Sequence, residues 1–202
     1  MINVQELFGG IDIYLFDQIL KNRFSPNSII LDAGCGGGRN LNYFLQTGYE
    51  VFGIDGNPEA IEHLRYVAKT INPKLSPENF QVSTVEKMSF PDEKFDVVIS
   101  SAVLHFAQST EHFYQMFQEM WRVLKPNGLF FARLASNIGI ENKVELIKDG
   151  RYFLPDGSER FLVNEELLET IENKFKAMRI EPIKTTNVQN LRCMTTWVLI
   201  KN

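Results

Sequence analysis

A glycine-rich segment that separates an apolar run from a helical pattern constrains this chain more than any other feature. Residues 29–31 are apolar and end at Asp32, and glycines follow at positions 34, 36 and 38. Residues 41–45 then begin an apolar spacing that is typical of a helix. A strand, a glycine turn and a helix in this order let a ligand contact the backbone closely. The segment therefore predicts a site for a nucleotide-like ligand.

The spacing of these glycines helps to separate cofactor classes. The dinucleotide fingerprint G-x-G-x-x-G would place its last glycine at position 39, where this chain has Arg39. The pattern that is present is D-x-G-x-G-x-G, beginning at Asp32. The sequence therefore does not favour a pyrophosphate as the ligand.

Length, charge and cysteine content restrict the class of protein. A chain of 202 residues fits one domain over residues 1–202 with a sizeable core. The net charge of −4 argues against nucleic acid or a membrane surface as a partner. Cys35 and Cys193 are expected to be reduced thiols, and neither a secretory signal nor an apolar run of membrane-spanning length is visible. We therefore expect a soluble cytoplasmic protein. Its oligomeric state is left open.

Strand-like and helix-like segments alternate along most of the chain, which predicts an α/β fold. The strands expected after the glycine segment are residues 49–54, 80–84, 95–100, 129–134, 178–186 and 194–200. The last two are joined too closely for a helical crossover, so they should pair as an antiparallel hairpin. An apolar stripe over residues 113–124 has helical spacing, and we interpret it as core packing and not as an aromatic ligand site.

The regular alternation lapses over residues 137–163. Pro155-Asp156-Gly157 predicts a turn between two β-prone pieces, residues 151–154 and 160–163. Loops on a rigid sheet commonly set specificity, so this segment is a candidate substrate-side insertion. Its aromatic residues could equally anchor the loop to the body of the protein.

Polar residues stand at the ends of four predicted strands, namely Asp32, Asp55, Thr84 and Ser100. In an open parallel sheet, ligands bind beyond the carboxyl ends of the strands. We therefore expect these residues to line one crevice. Asp55 ends the strand that follows the glycine segment, where its carboxylate can accept hydrogen bonds from ribose hydroxyls.

These segments resemble the class I S-adenosylmethionine-dependent methyltransferases, in particular small single-domain members. Residues 31–38 are similar to motif I of that family, and Asp55 follows the second strand. Residues 95–98 are similar to the start of the family's fourth strand, and residues 122–128 are similar to the segment before its fifth strand. The resemblance covers residues 28–135 in sequence and the remainder in architecture. It implies a Rossmann-like, doubly wound, mostly parallel sheet of seven strands in the order 3-2-1-4-5-7-6, with an antiparallel last strand and helices on both faces.

The resemblance also implies S-adenosylmethionine as the cofactor. The glycines would allow close approach of the methionyl part, Asp55 would hold the ribose, and the backbone of Val85 would contact the adenine. The predicted cofactor-binding residues are Asp32, Gly34, Cys35, Gly36, Gly38, Asn40, Asp55, Gly56, Thr84, Val85, Glu86 and Ser101. Many family members have an aspartate at position 84, and the hydroxyl of Thr84 can still accept a hydrogen bond.

Methyl transfer requires alignment of the nucleophile and exclusion of water, and it needs a general base only where the nucleophile is protonated. His105, just after the fourth strand, is the candidate catalytic residue, as a base or a substrate contact. The alternative is a hydrogen-bonded loop histidine that shapes the cofactor pocket. Arg133 could meet an anionic substrate or form a structural salt bridge. Tyr14, in an N-terminal lid over residues 1–27, and Tyr152, in the insertion, complete the predicted substrate-binding residues.

We therefore expect a methyltransferase that acts on an unidentified small molecule by in-line transfer, without a metal. Ser101 is not followed by the Pro-Pro-aromatic motif of enzymes that methylate amino groups of nucleic acids, which argues against such a substrate. A non-catalytic S-adenosylmethionine-binding module acting through a partner is one alternative, because cofactor motifs establish binding and not turnover. An NAD(P)-dependent oxidoreductase is another, against which Arg39 and the terminal hairpin count.

Overall fold

The computed structural model describes residues 3–202. Met1 and Ile2, the first residues of the predicted N-terminal lid, lie outside the described residues. The strands are β1 (Ile29–Ala33), β2 (Glu50–Asp55), β3 (Phe80–Val82), β4 (Phe95–Ser101), β5 (Leu124–Ser136), β6 (Glu145–Lys148), β7 (Arg151–Phe153), β8 (Glu159–Phe161), β9 (Ala177–Arg179), β10 (Lys184–Val188) and β11 (Arg192–Lys201). The α-helices are α1 (Val4–Phe8), α2 (Ile13–Leu20), α3 (Asn42–Gln46), α4 (Pro58–Ile71), α5 (Thr110–Val123) and α6 (Glu165–Phe175).

The main sheet has the strand order β10-β11-β5-β4-β1-β2-β3, and β9 pairs with β11 in addition. Strands β1 to β5 pair with one another in parallel. Strand β11 is antiparallel to β5, β9 and β10. The predicted fold class is confirmed, and β11 takes the place of the predicted seventh strand.

The predicted sixth strand, residues 178–186, is in fact two strands. β9 pairs with residues 199–201 of β11, and β10 pairs with residues 192–196 of the same strand. Pro182 lies between β9 and β10, and a proline has no N–H to donate to a ladder. The sheet consequently has eight strands and not seven.

Helices cover both faces of the main sheet because alternate residues of its strands point to opposite sides. Leu31 packs in a cluster with residues of α5 and α6, and its neighbour Ile30 packs in a cluster with residues of α2, α3 and α4. The apolar stripe over residues 113–124 is buried in the first cluster, which confirms that it is core. None of the helices in residues 3–202 combines the length and the apolar character that crossing a membrane requires.

Residues 137–163 contain a second, antiparallel sheet in the order β6-β7-β8. The predicted turn at residues 155–157 joins β7 to β8, and these strands pair as the sequence indicated. The sequence did not predict strand β6. Its four residues are all exposed in the structure. Phe161 stacks on Phe113 of α5 with 4.9 Å between the ring centroids, which holds the insertion against the body of the protein.

Candidate active site

The glycine segment after β1 turns sharply, and its glycines serve different purposes. Gly34 and Gly38 have φ values of +87° and +84°, and a β-carbon at either position would collide with the side chain of Val103 or Leu64, respectively. Gly36 also has a positive φ, +50°, but the space around it is open. Gly34 and Gly38 are therefore needed for packing, whereas the backbone of Gly36 faces open space.

The carboxylate of Asp55 joins the glycine segment to the start of α4. Its Oδ2 accepts a hydrogen bond from the N–H of Gly36 at 2.9 Å, and its Oδ1 accepts one from the N–H of Asn57 at 2.8 Å. The backbone oxygen of Asp55 also accepts from the N–H of Ser83 at 3.1 Å. A carboxylate can accept about four hydrogen bonds, so Asp55 keeps capacity for a hydroxyl-bearing ligand beside Gly36.

Asp32 is buried beneath the glycine segment, with 1% of its surface exposed. Neither of its carboxylate oxygens has a hydrogen-bond partner among the described residues. Burial raises the pKa of Asp32 to about 7; the Arg39 guanidinium opposes this shift and the Asp55 carboxylate adds to it. An unsatisfied buried carboxylate is costly. A ligand group that donates hydrogen bonds to these oxygens, such as an ammonium group, would remove this cost.

Cys35, between Gly34 and Gly36, contributes only backbone to the crevice. Its thiol is buried and packs toward Gly53 of β2, where a β-carbon would lie 2.9 Å from the sulfur. Burial raises the pKa of this thiol well above its usual range, so it is protonated at neutral pH. Cys35 and Cys193 are both unpaired and buried.

Arg39 and Asn40, directly after the last glycine, fasten the N-terminal segment to the crevice. The Nη1 of Arg39 donates to the carbonyl of Gly10 at 3.2 Å, and its Nη2 donates to the hydroxyl of Ser101 at 3.2 Å. The Oδ1 of Asn40 accepts from the N–H of Asp12 at 3.0 Å. The part of the predicted lid around residues 10–12 thus lies beside the glycine segment.

The residues predicted to surround the adenine follow β3. Thr84 is exposed, whereas the side chain of Val85 is buried in the core cluster of α5, so only the backbone of Val85 is placed to contact a ligand. The carboxylate of Glu86 lies 3.8 Å from the Nε2 of His112. Gly56 is exposed just after Asp55. The predicted cofactor-binding residues therefore all lie at the carboxyl ends of β1 to β4 or in the loops that follow.

The chain changes direction sharply at the end of β4. Ser101 is buried next to Arg39, and Ala102 has a φ of +64°, which is unusual for a residue with a side chain. The N–H of Ala102 donates to the carbonyl of Arg133 at 2.7 Å, which holds this conformation. Ala102 lines a cavity. Ser101 thus contacts Arg39 of the glycine segment, and its neighbour Ala102 contacts the cavity.

The cavity beyond Ala102 has a volume of about 350 Å³. It lies between the end of β5, the loop after β4, the insertion and the β10–β11 hairpin. Its lining residues are Ala102, His105, Arg133, Ala135, Leu154, Asp156, Ser158, Arg160, Val188, Arg192, Cys193 and Met194. A depression of about 500 Å³ beside α3 and the start of β2 contains none of the predicted site residues. We therefore regard the cavity beside Ala102 as the candidate acceptor pocket.

His105 forms part of the wall of this acceptor pocket. Its Nδ1 accepts a hydrogen bond from the N–H of Ala135 at 3.3 Å, which assigns the proton of the neutral ring to Nε2. Burial, together with the nearby charge of Arg160, lowers the pKa of His105 to about 4. The ring is consequently neutral at pH 7 and has an Nε2–H to donate.

Arg133 also lines the acceptor pocket, but most of its donors are used within the protein. Its Nε lies 3.4 Å from the Oδ2 of Asp12, and its Nη1 donates to the carbonyl of Met194 at 2.7 Å. The guanidinium lies over the ring of Tyr14 at 4.4 Å, and the hydroxyl of Tyr14 is 2.8 Å from that of Thr186. The structural salt bridge considered for Arg133 is thus present, and Arg133 also borders the pocket, where contact with an anionic substrate stays a prediction.

The structure brings together only part of the predicted substrate-binding set. Tyr14 supports Arg133 without lining the pocket, and Tyr152 lines a separate cavity of about 270 Å³ with Phe161. The sequence did not single out Arg192, which follows the β10–β11 turn, and no local pattern distinguishes it from a surface arginine. Within residues 3–202, no group of three or more His, Cys, Asp or Glu side chains is placed to hold a metal ion.

Comparison with known proteins gives a consistent family. Residues 31–132 match the model of the family described as "Methyltransferase domain". The uncharacterized methyltransferase YodH of Bacillus subtilis is 35% identical over 108 residues, which are 54% of this chain and 43% of that protein. The chain thus spans less than half the length of this curated relative.

Solved structures share the fold. A SAM-dependent methyltransferase of Methanosarcina mazei superposes with a TM-score of 0.74 at 22% identity, over 91% of this chain and 96% of that one. The 1,6-didemethyltoxoflavin-N1-methyltransferase of Burkholderia thailandensis, solved with 1,6-didemethyltoxoflavin and S-adenosylhomocysteine, gives 0.70 at 17% identity over 96% and 79%. At these identities the likeness shows the fold alone.

Proposed function

The chain belongs to the methyltransferase domain family, and on that premise we propose that it transfers a methyl group from S-adenosylmethionine to a small-molecule acceptor. The observation that carries this proposal is the pair of sites on either side of the Ser101–Ala102 turn. One is a crevice with open glycine backbone and an unsatisfied buried carboxylate, Asp32. The other is a pocket of about 350 Å³ that borders it. A donor and an acceptor can thus lie on opposite sides of one turn.

S-adenosylmethionine, the predicted cofactor, agrees with the family and fits the crevice. Asp32 would pair with the ammonium group of its methionyl part, which would satisfy the two carboxylate oxygens that have no partner. Among the described residues, the guanidinium of Arg39 donates to uncharged oxygens, those of Gly10 and Ser101, and its charge acts on Asp32 from a distance, so it could also pair with the methionyl carboxylate. Asp55 would accept from the ribose hydroxyls, next to the open backbone of Gly36.

The adenine would lie against the loop after β3. Val85 would contribute backbone, since its side chain is buried, and the exposed hydroxyl of Thr84 is free to rotate toward an amino group. Gly56 and Glu86 would border the same region. These assignments use seven of the predicted cofactor-binding residues: Asp32, Gly36, Asp55, Gly56, Thr84, Val85 and Glu86. The Oδ1 of Asn40 instead holds Asp12 and so positions the lid.

When bound, S-adenosylmethionine supplies an electrophilic methyl group with a good leaving group. The protein then has to align the acceptor and exclude water. We assign His105 to alignment, because its Nε2–H can donate to the acceptor while its Nδ1 is engaged by Ala135. A neutral ring with a pKa of about 4 is a weak base, so the acceptor nucleophile should be one that needs little proton removal.

The same proposal includes the segments around the two sites. We assign residues 1–27 to a lid and residues 137–163 to a substrate-side insertion of a single domain. The link from Asp12 to Arg133, at 3.4 Å, supports this assignment because it ties the lid to the acceptor pocket. A cytoplasmic location is part of the proposal and is consistent with two unpaired cysteines.

Two measurements test the proposal. Calorimetric titration should show binding of S-adenosylhomocysteine and no comparable binding of NAD; the reverse result would support the oxidoreductase alternative. Incubation with S-adenosylmethionine and a panel of small acceptors should then release S-adenosylhomocysteine, detected by mass spectrometry. Cofactor binding without turnover on any acceptor, but with a protein partner recovered, would favour the non-catalytic module.

A further inference from the structure

The charges around the acceptor pocket do not balance. Three guanidinium groups line it, those of Arg133, Arg160 and Arg192. Arg133 is matched by Asp12, with 3.4 Å between Nε and Oδ2. Arg192 is matched loosely by Asp156, with 3.9 Å between Nη1 and Oδ2. One guanidinium is left over.

Among residues 3–202, the guanidinium of this pocket that forms no ion pair within 4.0 Å is that of Arg160; the Asp156 carboxylate, paired with Arg192, is close enough to feel its charge. Its Nη1 donates to the carbonyl of Glu159 at 2.7 Å, and its guanidinium carbon lies 5.3 Å from the ring centre of Phe106. The ion pairs found among residues 3–202 include Arg133, Arg151 and Arg192 of this region but not Arg160. Glu159, its neighbour in sequence, instead pairs with Arg151 at 3.2 Å.

The other polar groups of the pocket do not cancel this charge. His105 is neutral at pH 7 and presents an N–H. The Oδ1 of Asp156 accepts from both the N–H and the hydroxyl of Ser158, at 3.0 and 2.6 Å, so this carboxylate is held in place in the turn. The pocket therefore has about one positive charge in excess and several donors.

An excess guanidinium beside a partly enclosed pocket favours a ligand of opposite charge. A carboxylate matches the planar donor pair of an arginine, and such charge-assisted hydrogen bonds are stronger than neutral ones. A neutral ligand in the same place would displace water from Arg160 without replacing its hydrogen bonds. A volume of about 350 Å³ suits a molecule of roughly one ring with substituents.

We propose that the methyl acceptor is a small carboxylate-bearing molecule, with its anionic group between Arg160 and Arg192 and its nucleophilic end toward His105 and Ala102. This inference rests on the proposed methyltransferase function and adds the chemical class of its acceptor. Arg133, held by Asp12 and Tyr14, forms the fixed side of the pocket, while Arg160 and Arg192 come from the insertion and the β10–β11 hairpin.

The test compares two probes of similar shape, benzoate and benzamide, of which only benzoate is charged at neutral pH. Protein saturated with S-adenosylhomocysteine is titrated with each probe, and binding is followed by saturation-transfer NMR. Benzoate should bind roughly tenfold or more tightly than benzamide, as expected for charge-assisted hydrogen bonds. Arg160→Gln should remove most of this preference, and Arg192→Gln should reduce it. Lys148→Gln, which removes one positive charge from the exposed strand β6, should leave the preference unchanged.

The outcomes separate the inference from the function on which it rests. If S-adenosylhomocysteine does not bind the wild-type protein, the proposed function fails and the inference fails with it. If S-adenosylhomocysteine binds but benzoate shows no binding or no advantage over benzamide, only the carboxylate assignment is overturned. The same holds if Arg160→Gln and Arg192→Gln, both with unchanged affinity for S-adenosylhomocysteine, keep the full preference.

Discussion

The carboxylate of Asp55 accepts a hydrogen bond from the backbone N–H of Gly36 at 2.9 Å. This bond joins the two parts of the crevice that were predicted separately, the open glycine and the strand-end acid. It also means that Asp55 has a role in the free protein, because it fixes the loop before any ligand arrives.

Replacing Asp55 should therefore affect both cofactor binding and stability. Asp55→Asn keeps the shape but loses the charge and one acceptor, so we expect affinity for S-adenosylhomocysteine to fall roughly tenfold or more. The free energy of unfolding should fall by about 1–2 kcal/mol. Calorimetry and urea unfolding measure the two effects. Asp149→Asn is the matched control, since Asp149 is exposed in a loop with a φ of +47° that asparagine tolerates. An unchanged affinity in Asp55→Asn would remove Asp55 from the site.

Two glycines of the same loop should respond differently to alanine. Gly38→Ala would collide with Leu64 in a left-handed conformation, and we expect a loss of roughly 2–4 kcal/mol in unfolding free energy. Gly36→Ala meets open space, so its stability cost should be about 1–2 kcal/mol from the positive φ alone. Its methyl group would instead block the ligand and abolish binding of S-adenosylhomocysteine. Thermal unfolding and titration of both variants test this contrast, which equal stability losses would contradict.

Asp32 should make stability depend on pH in an uncommon direction. Its pKa in the folded protein is raised to about 7, against about 4 in an unfolded chain. Between these values the folded state binds more protons, so this group's contribution to the unfolding free energy falls as pH rises from about 4 to about 7. Asp32→Asn should lose this pH dependence of the unfolding free energy, because asparagine does not titrate. Urea unfolding of both proteins across this range gives the difference, and parallel pH curves would refute the assignment.

Cofactor binding should show the opposite dependence on pH. An ammonium group next to Asp32 favours the ionised carboxylate, so affinity for S-adenosylhomocysteine should increase as pH rises through about 7. Calorimetric titrations at several pH values measure the trend. Asp32→Asn should bind more weakly and show little dependence on pH. A wild-type affinity that is constant from pH 6 to pH 8 would contradict the pairing.

His105 should prove to be a structural and positioning residue. Its Nδ1 satisfies the N–H of Ala135, so His105→Ala should cost about 1–3 kcal/mol of unfolding free energy by leaving a buried donor unpaired. His105→Asn can restore an acceptor and should recover part of that loss. Urea unfolding of the two variants provides the comparison. Once an acceptor is found, the activity of the wild type should show no loss near pH 6.5, because the pKa of His105 is lowered to about 4. An inflection of the activity near pH 6.5 that is absent in His105→Asn would instead show that His105 acts as a general base.

Most of the turns and strand ends that form the candidate cofactor site were predictable because they depend on short segments of chain. The turn after β1 needs residues without side chains, such as Gly36. Asp32 and Asp55 stand near the ends of β1 and β2, where the apolar run of each strand stops. The roles of Asn40 and Cys35 were not predictable in this way. Asn40 bonds to Asp12 and Cys35 packs on Gly53, and both contacts depend on how distant segments meet.

The acceptor pocket shows the limit of reading the chain alone. Sequence position suggested Tyr152, whose ring lines a different cavity, and gave no reason to single out Arg192. Pro182 divides the predicted sixth strand, and this break was missed because the surrounding residues remain β-prone.

The α/β fold can be predicted from glycine spacing, strand-end acids and apolar periodicity, because these patterns act over a few residues. The family and the methyl donor follow from the resemblance of residues 28–135 to known methyltransferases. Which charges face the pocket, in contrast, depends on how distant segments pack together. Arg133 is neutralised by Asp12 and Arg160 has no such partner, although both are arginines near strand ends. Electrostatic pairing depends on distance through space and not along the chain, so the residual charge of the pocket emerges only when these segments are packed together.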